Sequence, residues 1–293
     1  MISKGKITDK VFDIFNYSLM FLLAIIMIYP FWELLILSVS PAAEASRIGL
    51  KIIPRGFTLG AYKQLFGSKL IGYGYYNTIM RTVIGTSLSV LLCFTMAYPL
   101  SKKSLPLRKT ITILLLIPMF FSGGLVPNFL LVNSLGLYDT LWALILPLLI
   151  SSYHVFVMRN FIMSIPDSLE ESALVDGASF LTILFRIIIP LSKPVLATIA
   201  LWVAVRHWNA WFDASIYTRS NERIVLQLIL RRMIIEKDNL EVADASIQSG
   251  GDGVITKTME AATVMVSVGP IILCYPFLQK YFVKGVMIGS VKG

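Results

Sequence analysis

One short stretch of this sequence concentrates side chains that can bind a polar ligand. It holds a guanidinium, an imidazole, an amide and two indoles, at Arg206, His207, Trp208, Asn209 and Trp211. Guanidinium and amide donors beside aromatic faces suit the hydroxyls of a sugar or a carboxylate. An interfacial aromatic belt, with an arginine that reaches the head groups, has the same composition. Both interpretations are open, and under the first these five residues line a substrate path.

The sequence has none of the motifs by which proteins hydrolyse nucleotides or perform nucleophilic or zinc-dependent catalysis. Residues 251–258 resemble a phosphate-binding loop in composition, but their spacing is wrong. Both cysteines and both histidines are isolated, at Cys93, Cys274, His154 and His207. We therefore expect free thiols, no metal site and no cofactor bound by this chain. A step driven by ATP would need another polypeptide.

A polar, acidic segment interrupts the apolar chain at residues 165–190, and we call it the elbow. Ser168 and Glu171 have capping-box spacing, in which the serine oxygen accepts a helix amide and the glutamate reaches back. Gly177 can end that helix in the left-handed conformation. Ser179 can then cap a second helix. The pattern predicts a short helix, a glycine corner and a second helix.

Composition places the elbow in an integral membrane protein. The chain is 56% hydrophobic and 15% charged, with a mean hydropathy of +0.74. Its apolar residues form runs of about 20, the length that crosses a hydrocarbon core of about 30 Å. The net charge of +9 comes from short basic clusters beside these runs, which favours membrane topology over nucleic-acid binding.

We predict an all-α protein with six transmembrane helices. The predicted spans are residues 11–40, 76–100, 110–132, 141–162, 187–212 and 259–281. Pro118 and the glycines of residues 122–127 should break the third span, which a bilayer tolerates only where protein or water covers the backbone. Pro190 and Pro194 should bend the fifth.

The distribution of lysine and arginine orients these spans. A lysine-rich N-terminus and a basic turn at residues 101–109 indicate that both termini and the elbow are cytoplasmic. The loop at 133–140 has neither residue type and should be external. The external segment at 41–72 carries five, contrary to the rule. We divide the chain into residues 1–75, an N-terminal helix with its external segment, and residues 76–293, the membrane core.

The elbow resembles the EAA loop of the membrane subunits of binding-protein-dependent ABC importers. That pattern reads Glu-Ala-Ala, three residues, Gly, nine residues and Ile-x-Leu-Pro. Here Glu171-Ser172-Ala173, Gly177 and Ile187-Ile188-Ile189-Pro190 have the same spacing, with Ser172 and Ile189 as departures. The resemblance implies that the elbow is a coupling helix that docks in a cleft of a cytoplasmic ATPase. The residues that it implies for coupling are Ser168, Glu170, Glu171, Ser172, Ala173, Asp176, Gly177, Ala178 and Pro190.

The resemblance covers about residues 12–293. Residues 96–101, 208–212 and 275–282 are similar to carbohydrate permeases related to the second membrane subunit of the maltose importer. Residues 122–127 and 284–293 are similar, more narrowly, to the subgroup for complex or acidic oligosaccharides.

This resemblance implies a set of partners in the inner membrane of a bacterium. They are a sister permease, two ATPase subunits that bind ATP and magnesium, and an external solute-binding protein that delivers an oligosaccharide. It also implies that the tail, through Gly285, Gly289 and Lys292, enters the ATPase interface. Net positive charge and Arg206 favour an acidic sugar weakly.

Ionisable residues inside predicted spans define the main alternative. Arg81 and Glu260 lie near outer ends and should reach the interface, whereas Glu33 is as easily paired or facing a cavity. Glu33, Arg81 and Arg206 could form the site of a stand-alone ion-coupled transporter or channel. The lack of repeated halves argues against it. A membrane enzyme is disfavoured because no nucleophile–base or metal constellation appears.

Overall fold

The computed structural model describes residues 7–45, 47–235 and 257–290, and every regular element within these ranges is helical. The prediction of an all-α protein is therefore confirmed for the described residues. The chain forms two compact units, Met1–Lys69 with Arg232–Val268 and Leu70–Arg231 with Gly269–Gly293. The division predicted at residue 75 stays a prediction.

The first unit is built on one long helix. Its N-terminal helices are α1 (Ile7–Ser38), α2 (Ala42–Ala45) and α3 (Gly60–Gly67). In the most apolar stretch of α1, only 6% of the residues are buried. This helix therefore presents apolar side chains on all sides, as a helix surrounded by lipid does.

The second unit contains one long helix and several short ones. They are α4 (Lys69–Ser101), α5 (Arg108–Phe120), α6 (Leu125–Ser134), α7 (Ser152–Ile162), α8 (Ser168–Val175), α9 (Phe180–Ile183), α10 (Ile189–Leu191), α11 (Lys193–Asn209) and α12 (Phe212–Tyr217). Turns of 3-10 helix occupy Leu141–Leu144, Leu146–Leu148 and Asn221–Arg223, and a π-helical turn, Leu184–Ile188, joins α9 to α10. Helices α13 (Leu226–Ile235) and α14 (Lys257–Ser290) extend across the division between the units.

Within the described residues, two helices are long and apolar enough to cross a membrane unaided. They are α1, over Lys10–Ser38, and α4, with 33 residues. Three bent pairs of helical segments bring the number to five if each pair is one span. The bends are 113° between α5 and α6, 51° between Leu141–Leu148 and α7, and 73° between Phe180–Leu191 and α11.

The break predicted in the third span and the bend predicted in the fifth are confirmed, and the fourth span needs correction. Gly124, with φ of +83°, lies in the break between α5 and α6. The fourth predicted span is not one helix, because Pro147 lies in the 3-10 turns that replace its first half. The bend predicted in the fifth span is confirmed, because the chain turns by 73° at Ser192, between Pro190 and Pro194, and α11 continues from Lys193.

Helices α4, α7 and α11 enclose the apolar core of the second unit. Its members include Cys93 and Ala97 from α4, Met158 from α7 and Ile199 and Val203 from α11, all fully buried. Small side chains on α4 allow α11 to come close, as is common between membrane helices.

Helices α4 and α11 are in close contact at Gly85 of α4. A β-carbon there would lie 2.5 Å from Nε2 of His207, whose side chain is itself fully buried on α11. Because an imidazole without free space cannot move aside, this contact requires glycine.

We expect Gly85→Ala to destabilise the protein by about 1–3 kcal/mol, the usual cost of overpacking a core. Gly72→Ala, on the same helix but with no atom within 4 Å of the added carbon, is the matched control and should be neutral or slightly stabilising. Unfolding of both variants in one detergent measures the difference. Equal stability of the two would contradict the proposed contact.

Candidate functional site

The elbow helix α8 begins one residue earlier than the sequence indicates. Asp167, directly after Pro166, takes the N-cap position, and its carbonyl accepts the amides of Glu170 and Glu171, both at 3.0 Å. No side chain caps this end. The predicted capping box of Ser168 and Glu171 is wrong, because Ser168 is already helical and its hydroxyl lies one position too far along.

The far end of α8 forms the predicted glycine corner. Gly177 has φ of +78°, and its amide donates to the carbonyl of Leu174 at 3.0 Å. The amide of Ala178 donates to the carbonyl of Ala173 at 2.9 Å, which completes a Schellman motif. Ser179 then accepts the amide of Thr182 at 3.3 Å, so its predicted cap is confirmed.

The two faces of the elbow have different roles. Ala173 and Ala178 are half-buried and pack against the core of their own unit. The outer face carries the polar residues Ser168, Glu171, Ser172 and Asp176, all exposed.

Three exposed apolar side chains accompany that polar face, and the sequence analysis missed them. Val175 is 87% exposed, Phe180 70% and Leu181 67%. The sequence pattern could have indicated them, because they are apolar residues within four positions of Gly177 in an otherwise polar segment. We call Glu171, Ser172, Val175, Asp176, Phe180 and Leu181 the elbow surface. It can receive a partner by apolar contact with a charged rim.

An ion pair ties the elbow to the end of α4. Lys102, directly after α4, pairs with Glu170 of α8 and lies over the ring of Tyr98, 5.1 Å from its centroid. The side chain of Glu170 is only 15% exposed, so this residue faces α4 rather than the elbow surface. A displacement of α8 would therefore pull on α4.

A second, more deeply buried ion pair lies elsewhere in the unit. Arg81 of α4 is fully buried and pairs with Asp213 of α12. Its Nη1 donates to the carbonyl of Ala210 at 3.2 Å, and its Nη2 to that of Leu144 at 3.3 Å. The expectation that Arg81 reaches the membrane interface is wrong. Its partner Asp213 lies 132 residues away in sequence, and no local pattern relates the two.

Arg81 belongs to a polar face of α4. The amide of Asn77 donates to the carbonyls of Glu222 at 2.7 Å and Ile224 at 2.8 Å, and Thr78 accepts the amide of Leu226 at 2.9 Å. The sequence analysis did not single out Asn77 or Thr78. They lie one helical turn before Arg81, and this spacing indicates a polar face on an otherwise apolar helix.

The structure separates the five predicted substrate-path residues. Arg206 is half-buried and donates to the carbonyl of Leu148, whereas His207 is fully buried against Gly85. Because the side chain of His207 has no exposed surface, it cannot line a substrate path beside Arg206.

The other three lie around the end of α11. Trp208 is half-buried, and Asn209 is exposed at the last position of the helix. Trp211 follows the helix, with the guanidinium of Arg231 3.6 Å from its ring centroid. Four of the five predicted residues are thus at least partly accessible. His207 is not.

A cavity of about 490 Å³ lies beside this group. It is lined by α6, residues 137–148 and α12, and its walls are mainly apolar. Asp213, the partner of Arg81, and Leu148, the partner of Arg206, both reach it. The cavity is large enough for a small ligand, and Asp213 provides charge in its wall.

Asp139 fastens the loop predicted to be external. Its Oδ1 accepts the amides of Arg219 at 2.9 Å and Ser220 at 3.1 Å. Its own amide donates to the backbone carbonyl of Tyr217 at 2.8 Å. Burial acts to raise the pKa of Asp139, but these hydrogen bonds, the hydroxyl of Ser220 and the charge of Arg223 outweigh it and lower the pKa. The ionised carboxylate therefore holds the loop against the end of α12.

A known protein family matches most of this chain. The family described as "Binding-protein-dependent transport system inner membrane component" matches residues 85–288, which include the elbow, Asp213 and the residues around the end of α11. The chain belongs to this family. Its members are membrane components of transport systems, which confirms the predicted resemblance of the chain to the membrane subunits of binding-protein-dependent importers.

A relative whose name states its transported substrates narrows the comparison to carbohydrate permeases. The polygalacturonan/rhamnogalacturonan transport system permease protein YtcP of Bacillus subtilis (strain 168) is 38% identical over 285 residues, covering 97% of this chain and 99% of its own. Protein LplC of the same organism is 39% identical over 284 residues, covering 97% and 96%.

A solved structure agrees with these relatives. One chain of a bacterial ABC transporter involved in the import of the acidic polysaccharide alginate is 32% identical. It superposes with a TM-score of 0.87 over 95% of this chain and 99% of that one. The predicted similarity to ABC importer permeases for carbohydrates is confirmed.

We expect Arg81→Ala to destabilise this permease by about 3–5 kcal/mol, because it leaves a carboxylate and two carbonyls without their donor. Arg81→Lys keeps the charge but has three donors in place of the planar fork, and should fall between. Arg219→Ala, at an exposed arginine, is the control and should change stability by less than about 0.5 kcal/mol. Denaturant unfolding in detergent measures all three, and a loss for Arg81→Ala no larger than the control would refute the role of the pair.

A double-mutant cycle should detect the tie between Lys102 and Glu170. We expect an interaction free energy of about 1 kcal/mol from Lys102→Ala, Glu170→Ala and their combination, since the pair is largely shielded. The pair of Arg47 and Glu44, with the arginine 62% exposed, is the control and should give a value near zero. If the two cycles agree, the shielded pair does not hold the elbow.

Proposed function

We propose that this permease is one of two different membrane subunits of an ATP-driven importer of acidic oligosaccharides in the inner membrane of a bacterium. It would be a multi-pass protein without catalytic activity of its own. The observation that carries the proposal is the elbow surface, which exposes apolar side chains at a corner of the fold, within the segment whose spacing resembles an EAA loop.

The proposed topology has six spans and two cytoplasmic termini. Helices α1 and α4 supply two spans, and the three bent pairs supply three. Helix α14, with 34 residues, supplies the sixth. The basic turn that follows α4 supports a cytoplasmic position for that end and for the elbow tied to it.

In this arrangement two ATPase subunits bind ATP and magnesium, and this chain binds neither. Their closure moves the elbow surface as a rigid body, because the Schellman corner and the cap of Ser179 fix its shape. Ala173 and Ala178 pass the motion to the core, and the ion pair of Glu170 with Lys102 passes it to α4. The bend next to Pro190 is the proposed two-state element.

The tail would complete the ATPase contact through Gly285, Gly289 and Lys292. Gly285 and Gly289 lie in the helical backbone of α14, and Lys292 lies outside the described residues.

An acidic oligosaccharide is the proposed substrate, delivered by an external solute-binding protein. Two observations support it: the relative named for polygalacturonan and rhamnogalacturonan, and the structural neighbour that takes part in alginate import. Arg206, Trp208, Asn209 and Trp211 are the proposed path residues of this subunit. The sister permease would supply the opposite wall.

The ion-coupled alternative loses one of its three groups. Arg81 is committed to Asp213 and two backbone carbonyls, so it is not available for a transported ion.

Gly177→Pro should abolish uptake and ATPase stimulation in the assembled importer, because proline cannot adopt a φ of +78°. Glu171→Lys and Val175→Asp, which alter the elbow surface at exposed positions, should do the same while the chain inserts normally. Phe66→Asp, at an exposed apolar residue of α3 that lines neither pocket and lies outside the elbow surface, is the control for Val175→Asp and should leave ATPase stimulation unchanged.

Substrate-stimulated ATP hydrolysis by the purified complex in nanodiscs is the measurement. Normal stimulation with Gly177→Pro and Val175→Asp would overturn the assignment of the elbow as the ATPase contact.

A further inference from the structure

The segment between α2 and α3 combines basic and apolar residues in a way that the transport function does not explain. Arg47, Lys51 and Arg55 recur at every fourth position. The apolar side chains among and after them are strongly exposed, at Ile48 (104%), Leu50 (80%), Ile52 (64%), Ile53 (76%) and Phe57 (71%). We call residues 47–57 the outer loop. A soluble surface rarely exposes so many neighbouring apolar side chains.

Two aromatic residues of α1 hold the outer loop. The indole of Trp32 donates to the carbonyl of Ile52 at 3.0 Å, and the amide of Lys51 donates to Oη of Tyr29 at 3.4 Å. From Lys10 to Trp32 the helix rises about 33 Å, at about 1.5 Å per residue. That is close to the hydrocarbon thickness of about 30 Å. Tyrosine and tryptophan concentrate at the membrane–water interface, so the outer loop lies at head-group depth.

The basic residues of the loop surround a pocket of about 230 Å³. Arg47, Lys51 and Arg55 line it together with a single acid, Glu44. Glu44 pairs with Arg47 at 3.3 Å, and Lys51 donates to the carbonyl of Ala45 at 2.6 Å. Arg55 forms no hydrogen bond or ion pair with the described residues. The exposed pair is weak, and Lys51 retains two further donors, so the pocket has unused positive charge.

We propose that this pocket binds the phosphate of an anionic phospholipid in the outer leaflet, with the exposed apolar side chains of the outer loop among its acyl chains. The proposal rests on the proposed function only in placing residues 41–72 outside. It accounts for three of the five lysines and arginines that oppose the positive-inside rule there, Arg47, Lys51 and Arg55. A carboxylate of the transported sugar has matching charge, but it would leave the apolar side chains in water.

The test compares lipid retention by Lys51→Gln/Arg55→Gln and by Lys63→Gln. Lys63 lies on α3 in the same segment but outside the pocket, so it is the matched control. Each protein is reconstituted in nanodiscs of mixed phosphatidylglycerol and phosphatidylcholine, extracted in detergent, and analysed for bound lipid by mass spectrometry. A second arm adds trigalacturonate as a competing soluble anion.

We expect the double variant to bind phosphatidylglycerol at least about tenfold more weakly, since it removes two of the three basic side chains that line the pocket. Lys63→Gln should bind it normally, and trigalacturonate should not displace it. Equal retention by the double variant, or displacement by trigalacturonate, would overturn the proposal. Both arms are run on the chain alone and on the assembled importer, so failure of assembly, which bears on the proposed function, leaves the lipid result readable.

Discussion

The second unit depends on one buried cation. Arg81 donates to three groups inside this unit: the carboxylate of Asp213 and the carbonyls of Ala210 and Leu144. Each carbonyl belongs to a place where regular helix stops, at the end of α11 and in the 3-10 turns before α7. A bilayer offers no water to such groups, so an irregular backbone there requires a protein donor. Arg81 makes these breaks possible.

This arrangement explains why α4 is the scaffold of the unit. Along one side it presents Asn77, Thr78 and Arg81, which bind the backbone of residues 210–226, and Gly85, which admits His207. At its other end Lys102 holds Glu170. The irregular segments around the cavity and the elbow are therefore attached to the same long helix. A shift of α4 relative to α11 would reach both.

The elbow shows how a short polar segment can serve two surfaces. Its alanines pack inward and its glutamate at position 170 pairs with Lys102, while Val175, Phe180 and Leu181 remain outside. The small residues of the EAA pattern are thus needed for packing within this chain, as well as for the implied docking of an ATPase. A larger side chain at Ala173 would separate α8 from its own core. The apolar outer residues are what a partner would cover.

The sequence alone determined the features that depend on local chemistry. Residue type set the apolar runs, Gly177 set the left-handed corner, Ser179 set a cap, and spacing in the elbow indicated the family. These hold because neighbouring residues suffice to produce them. The cap of α8 differed by one position, since Pro166 and Asp167 compete with Ser168 for the helix start.

Tertiary structure decided everything that joins distant segments. It paired Arg81 with Asp213, buried His207 on Gly85, turned α6 by 113° from α5 and set the 73° angle of the bend before α11. An arginine in an apolar helix is compatible with the interface or with a buried partner. Only the three-dimensional position of a carboxylate 132 residues away selects between them, because desolvating a cation is favourable only when an anion and acceptors are already in place.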